Sequence, residues 1–128
     1  MRILALDAGE ARCGCAVCDP TESVVTPLDV VPQPDTKRGL DTLARLVRDR
    51  DIEQIVVGLP LTMRGEEGDQ ARWTRAFAER LDARVDVPVT FHDERLTTRQ
   101  AERTGGSAEA DSRAAAHLLE AYLMARTG

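Results

Sequence analysis

The chain has 128 residues, 42% of them apolar but only 3% aromatic, with 17 basic and 22 acidic side chains and a net charge of −5. A chain of this length makes one domain and buries a sizeable core without disulfides or a structural metal. The acidic balance excludes a histone-like protein held to nucleic acid by bulk charge, although local basic patches can oppose the mean. No apolar run approaches the ~18–20 residues of a membrane span. The start, Met1-Arg2-Ile3-Leu4-Ala5-Leu6-Asp7, lacks the long apolar stretch of a signal peptide, so the expected compartment is the cytoplasm.

Residues 2–6 are apolar and end at Asp7-Ala8-Gly9, which predicts a strand running into a turn. Residues 13–18 predict a second strand, closed by Asp19-Pro20. A third strand over 24–31 is interrupted by Pro27, which places it at an edge or makes it irregular. From Thr36 the period changes: Leu40, Leu43, Ala44 and Val47 recur at three and four and predict an amphipathic helix. Ile52, Ile55, Val56 and Val57 then predict a buried strand ending at Gly58-Leu59-Pro60. A Gly- and charge-rich loop over 62–69 leads to a helix in which Trp73, Phe77 and Leu81 are spaced by four, a core spacing rather than a base-stacking platform. Residues 85–91 predict the last strand, followed by His92-Asp93-Glu94-Arg95. A short helix over 97–103, a hinge-like Gly105-Gly106-Ser107 and a final helix over 111–125 complete the chain. Hairpin strands first and alternating elements afterwards predict an α/β domain over 1–128, a mixed five-stranded sheet flanked by helices. The loops at 62–69 and 104–108 are expected to close on a substrate.

The three cysteines fall in Cys13-Gly-Cys15-Ala-Val-Cys18, with His92 and His117 far off in sequence. On a strand Cys13 and Cys15 face one side and Cys18 the other, so they cannot converge on a metal. Core packing is the expected role, with a metal or redox role as the alternative.

Acids stand where strands run out: Asp7 after the first, Asp93 and Glu94 after the last, with Asp111 opening the final helix. Functional groups in open α/β sheets gather beyond the carboxyl ends of strands. Carboxylates brought together there repel one another unless a cation intervenes, and oxygen-only ligands suit Mg²⁺ or Mn²⁺. Each acid also has a plainer reading: an Asx-turn for Asp7, an exposed strand end for Glu94, a helix N-cap for Asp111. Asp111 lies in line with Ala115, Leu118 and Tyr122, a stripe that should face the sheet. Arg12, Arg64, Arg72, Arg95 and Arg99 surround these segments and either contact phosphates or form a solvated surface. His92 is a proton shuttle or a partly buried strand residue.

Together these segments resemble the YqgF/RuvX family, small bacterial proteins with the ribonuclease H-like fold of the Holliday junction resolvases. The resemblance rests on Ile3-Leu4-Ala5-Leu6-Asp7-Ala8-Gly9 with Arg12-Cys13-Gly14; on Ile55-Val56-Val57-Gly58-Leu59-Pro60-Leu61 with Gly65 and Gly68; on Asp93-Glu94-Arg95-Leu96-Thr97-Thr98 with Ala101-Glu102; and on Asp111-Ser112 with Ala114-Ala115, Leu118-Leu119 and Tyr122-Leu123. It implies that Asp7, Glu94 and Asp111 are the catalytic, metal-binding carboxylates for Mg²⁺ or Mn²⁺; beside them, Arg12, Arg64 and Arg95 are the expected substrate-binding residues. It further implies a hydrolase, a two-metal endonuclease that matures the 5′ end of pre-16S rRNA. The implied partners are a structured RNA precursor ahead of branched DNA, and ribosomal assembly intermediates, with no membrane. The expected oligomeric state is a monomer or weak dimer. The alternatives are a Holliday junction resolvase and a non-catalytic nucleic-acid or ribosome-assembly module. Where the family usually carries Thr or Lys and then a further polar residue, this chain has Glu10 and Ala11; Cys13, Cys15 and Cys18 stand for the usual Ile and Val.

Overall fold

The computed structural model describes residues 1–94 and 107–127. Five strands, β1 (Ile3–Ala8), β2 (Arg12–Cys18), β3 (Val25–Pro32), β4 (Gln54–Leu59) and β5 (Val89–Asp93), form one sheet in the order β3-β2-β1-β4-β5. β3, β2 and β1 make an antiparallel meander, while β1, β4 and β5 are parallel. The helices are α1 (Lys37–Asp49), α2 (Asp69–Asp82) and α3 (Ala108–Thr127).

The predicted mixed sheet is therefore present, and Pro27 lies on edge strand β3, where its missing N–H costs no ladder bond to a further strand. β4 is buried at every position, as expected of a parallel strand covered on both faces. Alternation along β1 divides the core. Leu4 and Leu6 join Cys13, Cys15, Ile55 and Val57 against Leu40, Leu43 and Val47 of α1 and Phe77 and Leu81 of α2. Ile3 and Ala5 join Cys18 and Val56 against Leu118 and Leu119 of α3 on the other face. The cysteines are buried, free and split between the two faces as the strand period requires. Trp73 and Phe77 stack at 5.7 Å within the α1–α2 layer.

Most boundaries shift by a residue or two, with β1 running on to Ala8 and β5 to Asp93, and three starts differ for a physical reason. β5 begins at Val89, because Val85 and Val87 pack on the core without joining the ladder. β4 begins at Gln54, two residues after Ile52. α3 begins at Ala108, because Ser107 caps it: Ser107 Oγ accepts from the Ala110 amide at 3.0 Å. The helix expected over 97–103 lies outside the described residues, as does most of the loop at 104–108. Among the described residues no helix is long and apolar enough to cross a membrane.

Candidate active site

Because β1, β4 and β5 run parallel, their carboxyl ends meet at one edge of the sheet. Asp7 near the end of β1, Pro60 just after β4 and Glu94 just after β5 stand side by side there. α3 brings Asp111 to the same place. A cleft of about 290 Å³ is lined by Asp7, Glu94, Asp111, Glu10, Arg12 and, from the first turn of α2, Gln70. The three acids singled out in the sequence thus share one cleft. Two larger grooves, of about 480 and 560 Å³, flank edge strand β3 and contain none of the three.

Side-chain period decides who faces whom. Asp7 follows Ile3 and Ala5 on the α3 face and is only 7% exposed. Its neighbour across the antiparallel ladder is Gly14, and the parallel register of Leu6 with Val57 sets Gly58 on its other side. Both glycines shape the surroundings of Asp7, which spacing alone did not reveal. A Cβ on Gly14 would lie 2.0 Å from the Asp111 carbonyl oxygen, so only glycine lets the first turn of α3 rest on β2. A Cβ on Gly58 would lie 2.9 Å from Cγ and Cδ of Glu94, so the Glu94 side chain lies across the bare rung of β4. The missing side chains on either side of Asp7 make room for the other two acids.

Asp111 is not the helix cap, since Ser107 fills that role. It sits in the first turn of α3, where the helix dipole favours a carboxylate. Ser112 fixes that turn to the sheet, its hydroxyl donating to the Leu28 carbonyl at 2.6 Å. The Asp111 Oδ2 accepts a 2.7 Å bond from Nε of Arg12, the first residue of β2. Among the described residues no three His, Cys, Asp or Glu side chains form a group that could hold a metal ion as they stand.

The other expected site residues are dispersed. Arg64 is exposed in the 62–69 loop and does not line the cleft. Arg72 pairs with Asp69 within α2. Arg95 and Arg99 lie outside the described residues. His92 is buried beside Gly58, its ring edge-on to Tyr122 at 5.8 Å, and its Nε2 has no hydrogen-bond partner among the described residues. Burial pushes its imidazole below the ordinary value, against the opposite pull of Asp93 and Glu94. The thiol of Cys13 is held well above its ordinary value, first by its interaction with Cys15, then by burial and by the negative charges of Asp7 and Asp111.

With this geometry in place, the comparisons with known proteins are specific. A sequence model of the family RuvX, described as Holliday junction resolvase, matches residues 1–125. A Chloroflexus aurantiacus protein named "Putative pre-16S rRNA nuclease" is 41% identical over 133 aligned positions, covering 97% of this chain and 87% of that one. An Anaeromyxobacter protein of the same name is 42% identical, covering 98% of both. Among solved structures, RuvC of T. thermophilus in complex with Holliday junction substrate superposes with a TM-score of 0.61 at 17% identity, over 100% of this chain and 98% of that one, which shows a shared ribonuclease H-like fold. Matched along nearly its whole length, the chain belongs to the RuvX family.

Proposed function

We propose that this protein is a metal-dependent endonuclease that hydrolyses phosphodiester bonds at the precursor 5′ end of 16S rRNA. The observation that carries the reading is the convergence of Asp7, Glu94 and Asp111, from three remote segments, on one cleft beyond the ends of parallel strands. Their donor set is oxygen-only and fits a hard divalent cation such as Mg²⁺ or Mn²⁺ in kind, and the two bare glycine rungs leave the carboxylates room to share one. Asp7, Glu94 and Asp111 would be the residues that hold it. A pair of such cations, when bound, lowers the pKa of an attacking water and stabilises the leaving oxygen.

The chain's own groups do the rest. Asp7 is the fixed member, on a strand paired on both sides. Glu94 and Asp111 join the same cleft from a strand end and a helix start. Arg12 supplies the cleft-lining guanidinium suited to a phosphate oxygen. The curated relatives' name supports an RNA substrate. A second reading, resolution of branched DNA, draws on the description of the family model and would need a dimer to match a two-fold junction.

The deciding experiment is Mn²⁺-dependent cleavage of an RNA carrying the precursor 5′ end of 16S rRNA, beside a four-way DNA junction, with Asp7→Asn as control. RNA cleavage lost in the folded variant is the expected result. Cleavage of the junction alone moves the protein to recombination. Cleavage of neither, with the fold intact, leaves a non-catalytic binding module.

A further inference from the structure

We infer that Arg12 is a latch: its guanidinium holds Asp111 in the absence of a divalent cation, and is released toward the substrate phosphate when a cation takes that carboxylate. The inference rests on the reading of the cleft as a divalent-cation site. Three observations lead to it. Arg12 Nε donates directly to Asp111 Oδ2 at 2.7 Å, so one of the three acids already has a cationic partner. The lining of the cleft contains four carboxylates, Asp7, Glu10, Glu94 and Asp111, and Arg12 is its only cationic side chain among the described residues. The same three acids share a cleft yet do not constitute a ready metal group.

A guanidinium and a divalent cation compete for one carboxylate and repel each other, so their binding to Asp111 is negatively coupled, and the coupling is reciprocal. Both partners of the ion pair are partly exposed, at 34% and 25%, so water screens the pair and the coupling is modest. The backbone at both ends stays fixed while the latch works. Arg12 is anchored in the β1–β2 hairpin, where its carbonyl accepts from the Gly9 amide at 2.8 Å, and Asp111 is anchored by the Ser107 cap and the Ser112–Leu28 bond. Only the flexible arginine side chain has to move. Once released, it keeps its full charge and its fork of donors, at the mouth of a cleft built to receive a phosphodiester. The arrangement offsets one of the four carboxylates in the resting protein and makes the phosphate-binding guanidinium available only when the site is loaded.

The test uses the full chain, stripped of metal, and compares wild type with Arg12→Gln. Mn²⁺ affinity is measured by calorimetry and by the rise in melting temperature. The variant is expected to bind Mn²⁺ about five- to tenfold more tightly, a coupling of ordinary allosteric size, and to bind the RNA more weakly. In parallel, the Nε–H signal of Arg12 is followed by NMR in wild type during a Mg²⁺ titration. It is expected to move as Asp111 lets go, which requires no variant and decides the matter if Arg12→Gln fails to fold. Equal or weaker Mn²⁺ binding by a folded variant, or an Arg12 signal unmoved at saturating Mg²⁺, overturns the latch while leaving the cation site standing. Absence of Mn²⁺ binding by both proteins overturns the cation site and the latch with it.

Discussion

Replacement of Gly14 by alanine is the sharpest test of how the site is assembled. The new Cβ would lie 2.0 Å from the Asp111 carbonyl oxygen and 2.6 Å from its carbonyl carbon, both backbone atoms that no rotamer change can move. Restoring ordinary contact at about 3.4 Å requires a shift of about 1.4 Å between β2 and the first turn of α3. That turn is held by the Ser112 bond to Leu28 and by Leu118 and Leu119 in the core, so lifting it strains packed structure. Overpacking of this kind costs about 1–3 kcal/mol, or a fall of roughly 5–10 °C in melting temperature for a domain of this size. Misplacing a catalytic group by about 1 Å can cost on the order of 100-fold in rate. Gly58→Ala separates the two effects, because there the new methyl meets the movable end of Glu94 at 2.9 Å and Leu118 Cδ2 at 3.2 Å. Its stability should fall by less than about 1 kcal/mol while cleavage drops at least ~10-fold. Gly68→Ala, with nothing within 4 Å of the added methyl, serves as the control. Thermal melting and single-turnover cleavage on the three variants decide the matter. A Gly14→Ala protein that melts and cleaves like wild type refutes the claim that this glycine seats the third acid.

Further outcomes follow from named contacts. Cys13, Cys15 and Cys18 should resist a disulfide-exchange reagent in the native protein and react as three equivalents only in denaturant, since all are buried; rapid native labelling of any one would contradict the core role. Ser112→Ala removes a 2.6 Å bond to the Leu28 carbonyl and should cost about 1–2 kcal/mol in urea denaturation with an unchanged slope. The Asp19 carboxyl is lowered to about 2, first by the Thr21 hydroxyl and then by the amides of Val24 and Ser23. Being depressed, it stabilises the fold fully above its unfolded pKa of ~3.9, and that contribution is lost as pH falls through about 2. A carboxyl NMR titration should place its midpoint near 2 and return it toward the ordinary value in Thr21→Ala. Glu10 stands exposed at the rim of the cleft, so Glu10→Ala should lower KM about twofold at low salt, with kcat unchanged and the gain vanishing at high salt. A collapse of kcat instead would make Glu10 part of the catalytic machinery.

What the sequence conveyed and what it concealed divide along a physical line. Strand period and apolar runs placed the five strands, and Pro27 marked its own strand as the edge, because each of these signals is local. Asp7 and Glu94 were visible for the same reason: an acid at the end of an apolar run is conspicuous wherever the chain later goes. Asp111 was ambiguous because two residues competed to cap one helix. Ser107, followed by the good helix formers Ala108, Glu109 and Ala110, had the better claim, but Gly105-Gly106 before it drew it into an apparent hinge. Gly14 and Gly58 look in sequence like weak points in strands. Their value depends on what lies above them, a turn of α3 and a side chain after β5, and neither is near in sequence. The ion pair between Arg12 and Asp111 joins residues 99 apart and could not be read from either neighbourhood. A string of letters shows which charges a site owns. Topology alone assigns each charge its counter-charge, and here it pairs Arg12, for which the sequence left phosphate contact and a solvated surface both open, with the carboxylate of Asp111.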